Sequence, residues 1–388
     1  MRIPIPCIRT GLFSLILAIA FADALAQQIN ADYEKFKVSD NRFIHSGLAM
    51  SPNQQLLAIA CTQGFPLYIY DFHNRQIVRQ FDVGNWYAGA RVNWSSNGTY
   101  LLLQQLYYLD FSPNRDREVN FEVIDAATGE RVLRLERYHD VKITPDERLA
   151  VALTNDALEF YELKTGRIAE RKTIKDATNS LEISPDGKFI AVSHRPSEAY
   201  LKNDPQFRKN PKALKFNLKF KQLISVYNAT DFSFVATVND YYDNVYRLEW
   251  SADGKELYCL SIPYTKAATA ASGRQNFISV IDAVNFKSTR IVFPSNSNYE
   301  PAFRKSHEGK YMGVVSWGKF PELRIHDALT GKVLHRFEMG SRVLEGISKL
   351  EFPSDGRVFF EFLPGDQAIL ATFGNQLLLW NIPQDGLE

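Results

Sequence analysis

The sequence predicts an all-β fold, a seven-bladed β-propeller built of four-stranded antiparallel blades. A short turn between two apolar strands recurs seven times along the chain. After each recurrence comes an aromatic or β-branched strand that ends in an acidic or amide residue. Four-stranded units at a spacing near 40 residues are the sequence signature of a propeller.

The recurring turn, here called the a–b turn, joins the innermost strand a of each unit to strand b. Proline presets φ for a turn, Asp or Asn bonds its own backbone, and Gly accepts positive φ. Each segment is therefore predicted to reverse the chain tightly. The seven a–b turns lie at residues 51–53, 95–98, 144–146, 184–187, 251–254, 306–309 and 363–366.

In each unit an acidic or amide residue ends strand c, and a second turn, here called the c–d turn, follows it. Six of the seven units continue into a fourth strand, d, for example at residues 132–135 and 333–337. The repeated pattern resembles that of the WD-repeat and YVTN-type propellers, and the resemblance covers almost the whole chain. The Trp-Asp ending of strand c in that family occurs here in altered form, as Trp380-Asn381. The ends of strand c are Asp71, Asp125, Glu162, Asn228, Asp282, Asp327 and Asn381.

The last unit lacks a fourth strand, because the chain ends soon after Asn381. Tyr33, Phe36 and Val38 alternate with charged residues, so we expect residues 33–40 to supply the missing outer strand and close the ring. A rival count of eight would make the turn at residues 352–356 a separate blade. Too little chain separates that turn from Pro364, and a local hairpin is expected there.

The first 26 residues read as a secretory signal peptide, which leaves residues 27–388 as a single propeller domain. Arg2 and Arg9 precede an apolar run at residues 11–22, and small residues follow at 24–26. Asp23 ends the run before it reaches the roughly 18 residues of a membrane anchor. We therefore expect export to the periplasm or the extracellular space, with no transmembrane segment.

The charge balance argues against general nucleic-acid binding. Loss of residues 1–26 removes Arg2, Arg9 and Asp23, so totals of 45 basic and 44 acidic side chains become 43 and 43. Nucleic-acid binders need a surplus of Lys and Arg.

Cys61 and Cys259 both lie in apolar strands, which favours buried free thiols over a disulfide.

One face of the ring is predicted to carry the longer loops. The a–b and c–d turns are short, whereas three b–c connections, at residues 109–120, 194–222 and 263–276, are long. Loops of this length in compact domains are usually functional or disordered. The face formed by the b–c and d–a connections, here called the loop face, is therefore the expected binding face.

The connection at residues 194–222 is basic, with eight Lys or Arg against Glu198 and Asp204. Phe216, Leu218 and Phe220 alternate with polar residues, which favours an extension of strand c into a protruding hairpin, either merely solvated on one face or serving as a partner-docking arm. Binding of an anionic polymer is the alternative. Lys212, Lys215 and Lys219 are the candidate ligand- or partner-binding residues of this segment.

Aromatic and ionisable residues recur where strand d leads into the next strand a. Rings at these junctions suit protein interfaces and sugar stacking, although some are expected to pack between blades. Arg91 and Arg247 lie on inner strands and could together hold an anion. The junction candidates are Trp86, Tyr87, Tyr138, His139, Asp140, Tyr241, Tyr242, Asp243, Tyr299 and Glu300.

Chemistry-bearing motifs are missing from the sequence. It contains no HExxH, CxxC, GxSxG or GxGxxG segment. His45, His139, Asp140, Asp243 and Glu300 could meet at a metal only through the fold, so neither a metal nor a cofactor is expected.

We expect a monomeric, non-enzymatic scaffold that binds a protein or envelope ligand. The alternatives are a propeller enzyme, either a lactonase or a metal-dependent hydrolase, with its site at the channel mouth, and a glycan-binding protein.

Overall fold

The structure is a computed structural model and describes most of the chain from residue 27 onward. The expected signal peptide at residues 1–26 and the hairpin expected at residues 352–356 lie outside the described residues. The described residues are 27–29, 33–40, 43–62, 66–83, 86, 88–106, 118–174, 177–195, 197–203, 205–220, 222–263, 276–296, 301–317, 320–339 and 358–383.

Seven four-stranded antiparallel blades form the fold, which confirms the predicted propeller. Each blade runs from an inner strand a to an outer strand d. Blade 1 holds β3 (His45–Met50), β4 (Leu56–Cys61), β5 (Leu67–Asp71) and β6 (Gln76–Phe81). Blade 2 holds β7 (Ala90–Trp94), β8 (Tyr100–Gln105), β9 (Val119–Asp125) and β10 (Arg131–Tyr138). Blade 3 holds β11 (Asp140–Ile143), β12 (Leu149–Leu153), β13 (Ala157–Glu162) and β14 (Ile168–Thr173).

Blades 4 and 5 share one long strand, β18 (Phe234–Trp250), which is the outer strand of one and the inner strand of the other. Blade 4 begins with β15 (Ala177–Ile183), β16 (Phe189–His194) and β17 (Gln222–Asn228). Blade 5 continues with β19 (Glu256–Pro263), β20 (Asn276–Asp282) and β21 (Lys287–Ser295). Blade 6 holds β22 (Phe303–Lys305), β23 (Tyr311–Trp317), β24 (Pro321–Asp327) and β25 (Val333–Glu338), and blade 7 holds β26 (Phe360–Phe362), β27 (Ala368–Phe373) and β28 (Gln376–Asn381).

The a–b turns form because a hydroxyl and a carboxylate satisfy the backbone of the reversal. In blade 4, Ser184 Oγ donates to Asp186 Oδ1 at 2.6 Å and accepts from the backbone N–H of Phe189 at 2.9 Å. Gly187 has φ near 70°, the left-handed region that glycine adopts readily. The same hydroxyl-to-side-chain bond joins Ser51 to Asn53, Thr144 to Asp146 and Ser251 to Asp253.

The ring closes through β2 (Tyr33–Lys37), which pairs antiparallel with β28 as the fourth strand of blade 7. This confirms the predicted closure. Glu34 of β2 also accepts from Arg75 of blade 1, with Nη2 to Oε2 at 2.6 Å. The first strand, β1 (Gln27–Ile29), was not predicted and lies parallel to β25 of blade 6. The N-terminal segment therefore covers the outer edges of two blades.

The core is a set of apolar layers between neighbouring blades. Between blades 6 and 7, Trp380, Phe337 and Phe360 are almost fully buried, and the rings of Phe337 and Trp380 lie 5.2 Å apart. Cys61 and Cys259 are buried free thiols in blades 1 and 5, as expected from their apolar strands. Burial raises the pKa of the Cys61 thiol, which keeps it protonated and unreactive.

The prediction of an extended hairpin at residues 194–222 is wrong. The segment folds into α1 (Glu198–Asn203), α2 (Pro205–Arg208) and α3 (Pro211–Phe220), which we call the helical arm. Pro211 at the first position of α3 suits a helix start. Leu214 and Leu218 lie one helical turn apart and pack on the buried cluster of Leu201, Phe207 and Leu223. The sequence fits both a strand, in which alternate residues share a face, and a helix, in which residues four apart do. These tertiary contacts favour the helix.

No helix in the described part of the chain is long and apolar enough to cross a membrane.

Candidate functional site

A central channel of about 330 Å³ runs through the ring and is lined by the inner strands of all seven blades. Asp140 and Asn179 line it near the start of their inner strands. Ser96, Pro145 and Pro185 line it at the a–b turns, on the face opposite the loop face. The channel therefore brings together residues that are far apart in sequence.

Arg304 is at the centre of the largest ion cluster in the channel wall. Its Nη1 lies 2.7 Å from Glu249 Oε1, and its Nε lies 3.3 Å from Glu361 Oε1. Burial works to raise the pKa of Glu249, but the guanidiniums of Arg304 and Arg247 outweigh it and hold that pKa below its usual value. Burial dominates at Glu361 and raises its pKa, against the attraction of Arg304. The cluster binds the inner strands of three blades to one another.

A second ion pair lies across the channel wall between blades 3 and 4. Lys142 Nζ lies 2.9 Å from Glu182 Oε2. Burial raises the pKa of Glu182, and Lys142 opposes that change. The pKa of Lys142 is raised despite its burial, because Asp140 and Glu182 both stabilise its positive charge. The charges that line the channel are thus largely matched within the wall.

Arg91 and Arg247, the two predicted anion-binding residues, both line the channel. Arg91 Nη1 lies 3.4 Å from Gln104 Oε1 on the neighbouring strand of blade 2. The Arg247 guanidinium lies over the ring of Phe303, 4.3 Å from its centroid, and its Nε lies 3.7 Å from Glu249 Oε2. The fold brings both cations to one cavity, where each already has contacts within the protein.

Asp140 links three blades instead of facing open solvent. Its Oδ2 accepts from Ser180 Oγ at 3.2 Å and from the backbone N–H of Leu181 at 3.0 Å. Ser180 Oγ in turn accepts from the backbone N–H of Leu248 at 2.9 Å. Burial raises the pKa of Asp140, while Lys142 and these donors work in the opposite direction. Asp140 therefore has a structural role, and sequence reasoning missed its partner Ser180.

Buried amides at the loop-face end of blades 4 and 5 form a network that the sequence did not indicate. Asn244 Oδ1 accepts from Asn179 Nδ2 at 3.0 Å and from Gln222 Nε2 at 3.1 Å. Gln222 Oε1 accepts from the backbone N–H of Val245 at 2.6 Å. Asn and Gln at strand ends are common, so no spacing signal could have singled out this network.

Of the residues considered as metal ligands, the side chains of His45, His139 and Asp140 are described, and they are not gathered into a metal site. His139 is buried and its Nε2 lies 2.8 Å from Asn155 Oδ1. His45 is buried beside blade 7, where its backbone N–H donates to Gly374. Across the described residues, no group of three or more His, Cys, Asp or Glu side chains has a metal-binding arrangement. The side chain of Asp243 and all of Glu300 lie outside what the structure describes.

The aromatic junction residues are distributed over several environments. Trp86 is buried in the layer between blades 1 and 2, and the Tyr138 hydroxyl lies 2.7 Å from Glu159 Oε2 between blades 2 and 3. Both thus pack between blades. Tyr241, Tyr242 and Asp243 lie in the middle of the continuous strand β18, not in a d–a loop, and their side chains are outside the described set. Tyr87, Tyr299 and Glu300 also lie outside it.

The helical arm projects from the b–c connection of blade 4, on the loop face. Its described apolar side chains pack on blade 4, where Leu201 and Phe207 are fully buried against Leu223 of β17. Lys212 and Lys215 lie on α3 and are exposed. Lys219 lies one turn further along α3, and its side chain is outside the described set. The b–c loops expected at residues 109–120 and 263–276 fall mostly outside the described residues.

Comparison with known proteins supports the fold and goes little further. No protein-family model matches the chain. A 69-residue stretch is 32% identical to hydrazine synthase subunit beta of Kuenenia stuttgartiensis, and it covers 16% of this chain and 18% of that protein. The β-propeller domain of Cps50 (Swd1) from Myceliophteria thermophila has a TM-score of 0.60 and 10% identity, over 90% of this chain and 100% of that domain. At this identity the similarity shows the propeller fold alone.

Proposed function

We propose that this propeller is an exported, monomeric scaffold that binds a protein or envelope ligand through its loop face. The asymmetry of the two faces carries the proposal. The opposite face consists of tight a–b and c–d turns held by their own hydroxyls and carboxylates, whereas blade 4 extends an anchored helical arm on the loop face. The arm is anchored by its own apolar contacts and lies outside the strands that close the ring. It therefore adds a rigid surface on which a partner could bind.

Several features support a non-enzymatic scaffold. The channel cations and carboxylates neutralise one another within the wall, for example Lys142 with Glu182 and Arg304 with Glu249. The motifs of common hydrolases and dinucleotide enzymes are missing from the sequence. Kinship with the WD-repeat and YVTN-type propellers is part of the same proposal. Fold by itself does not imply function, so the binding face must be tested directly.

Site-specific photo-crosslinking in the native host tests the face. Asp82 lies in the d–a connection of blade 1 on the loop face, and Lys332 lies in the c–d turn of blade 6 on the opposite face, and both are exposed. A photo-reactive residue at position 82 is expected to give a discrete adduct that position 332 does not give. Equal adducts from both positions, or adducts from 332 alone, would contradict the proposal.

Export has a separate test. Fractionation of the native host should place the protein in the periplasm or the medium, and amino-terminal sequencing should begin at Gln27. Retention of residues 1–26 on a cytoplasmic protein would rule out that part of the proposal.

A propeller enzyme is the second candidate, because the channel is large enough for a small molecule and is rich in ionisable groups. Elemental analysis of protein purified without chelators separates the two. The scaffold is expected to contain no stoichiometric metal. A bound metal that is lost on His139→Ala or Asp140→Asn substitution would favour the metal-dependent hydrolase instead. Quenching of tryptophan fluorescence by a polysaccharide would point to the glycan-binding alternative.

A further inference from the structure

The helical arm presents a concentrated group of cations to solvent. Arg208 ends α2, Lys209 follows it, and Lys212 and Lys215 lie on α3, and all four side chains are exposed. Lys212, Lys215 and Lys219 are spaced by three and four residues, so their positions share one side of α3. We call Arg208, Lys209, Lys212 and Lys215 the arm cations.

The arm cations have no acidic partner among the residues that the structure describes. The arm's one described carboxylate, Glu198, is already paired with Lys202, with Nζ to Oε1 at 2.6 Å. Elsewhere on the propeller, exposed lysines commonly sit beside an acid, as Lys188 does with Asp186 at 2.9 Å. The arm is therefore a local excess of positive charge on a chain whose totals are 45 basic and 44 acidic residues.

The apolar side of the helical arm holds it against blade 4. Leu201, Phe207 and Leu223 are fully buried, with Leu214 and Leu218 packed against them. This apolar contact fixes α3 on blade 4 and leaves the charged side outward. A rigid cationic surface loses little conformational freedom on binding, which favours recognition over mere solvation.

We propose that the arm cations dock an acidic segment of a protein partner, rich in Asp and Glu. This inference rests on the proposed loop-face function and names the chemistry of its partner. The ten residues of α3 span about 15 Å, which an extended chain of about five residues matches in length. Carboxylates at alternate positions of such an extended segment share one side and would meet the arm cations by charge complementarity.

Two other anionic partners fit less well. Binding at a membrane surface by a basic helix relies on an apolar side that enters the lipid, and the described apolar side chains of the arm are used against blade 4. General nucleic-acid binding is favoured by a surplus of Lys and Arg over a wide surface, which the nearly equal charge totals do not provide.

The test measures the fluorescence anisotropy of a fluorescein-labelled poly-glutamate peptide as the full propeller domain is added to it. Binding is expected at low ionic strength and should weaken as added salt screens the charges. The double variant Lys212→Glu/Lys215→Glu should weaken binding about tenfold or more, and Lys212→Ala/Lys215→Ala should weaken it less. Circular dichroism confirms that each variant is folded.

The matched control is Lys164→Glu/Lys332→Glu. These two lysines are also exposed but lie in c–d turns on the opposite face, so peptide affinity should stay within about twofold. Equal loss in both double variants would show a diffuse charge effect and overturn the proposal. Failure of the peptide to bind would also overturn it, as would tighter binding of phosphatidylglycerol vesicles or a DNA duplex.

The peptide titration and the photo-crosslinking test of the loop face can fail independently of each other. A photo-reactive residue at position 82 probes the loop face away from the arm. If position 82 crosslinks a partner while the poly-glutamate peptide does not bind, the acidic docking site is wrong and the loop-face function stands.

Discussion

Arg304 donates a hydrogen bond from Nη1 to Oε1 of Glu249 at 2.7 Å, and this contact joins the inner strand of blade 6 to that of blade 5. The same guanidinium lies 3.3 Å from Glu361 on the inner strand of blade 7. Although burial works to lower it, the pKa of Arg304 is raised by these two carboxylates. One side chain therefore stabilises two neighbouring acids where three blades meet the channel.

Arg304→Gln should destabilise the ring. It removes the cation that Glu249 and Glu361 share, and breaking a partly buried pair of this kind is expected to cost about 2 kcal/mol in the free energy of unfolding. Urea denaturation at neutral pH measures the loss. Arg148→Gln is the control, because Arg148 pairs with Asp146 at an exposed turn and should change stability by less than about 0.5 kcal/mol. Similar values for the two variants would show that the channel pair is no stronger than a surface pair.

His45 should make the protein less stable in mild acid. Burial lowers the pKa of His45 to about 4, against a backbone hydrogen bond at Gln376 that acts to raise it. Between about pH 6.5 and about pH 4 the unfolded chain binds a proton that the folded chain lacks, so the free energy of unfolding falls as pH falls through this window. The contribution of His45 to this loss is up to about 3 kcal/mol.

His45→Gln should flatten that dependence. Urea midpoints measured between pH 7 and pH 4 are expected to decline less in the variant than in the unaltered protein. His73→Gln, at an exposed c–d turn, serves as the control and should leave the decline unchanged. Parallel curves for the unaltered protein and His45→Gln would show that His45 does not cause the acid sensitivity.

Closure by the N-terminal segment predicts a graded response to truncation. Removal of residues 27–37 deletes β1 and β2 and exposes the edges of β25 and β28, so we expect aggregation or a large loss of stability. Removal of residues 27–31 deletes β1 alone and leaves blade 7 with four strands, so a smaller loss is expected. Thermal unfolding and size-exclusion chromatography compare the two. A stable, monomeric form without β2 would refute the closure.

Gly313→Ala should strain the interface between blades 6 and 7. A Cβ at this position would lie 2.5 Å from Cε2 of the Phe360 ring, which packs tightly in the core between these blades. Overpacking of this kind costs about 1–3 kcal/mol. The double variant Gly313→Ala/Phe360→Leu should lose less than the sum of the single variants, because the smaller side chain makes room for the methyl group. Additive losses in urea denaturation would place the strain elsewhere.

Much of the fold could be predicted from local chemistry. Ser184, Asp186 and Gly187 satisfy their own turn, so the same residue types mark a reversal wherever they recur. The mixture of apolar Tyr33, Phe36 and Val38 with charged residues likewise predicted β2, although Tyr33 and Phe36 are three residues apart and lie on opposite faces of that strand. Such features depend on residues that are neighbours in sequence or that share one strand.

The candidate site depended on contacts that sequence spacing does not encode. Asp140 was expected at an open channel mouth, but the fold places Ser180 and Leu181 against its carboxylate. Trp86 was one of the junction rings for which both a binding face and packing between blades were open, and the fold places it in the layer between blades 1 and 2. Both outcomes follow from how adjacent blades meet, and the residues on the facing blade are about 40 positions away in the chain.

The sequence by itself determined the seven repeated units, the character of their turns and the strand that closes the ring, because hydrogen-bonding side chains and strand alternation act over a few residues. The tertiary structure decided the conformation of the arm and the composition of the channel wall. Leu218 fitted both an alternating strand and a helix with Leu214, and burial against Phe207 and Leu223 selected the helix. Arg304 met Glu249 and Glu361 only because ring closure brings the inner strands of three blades side by side.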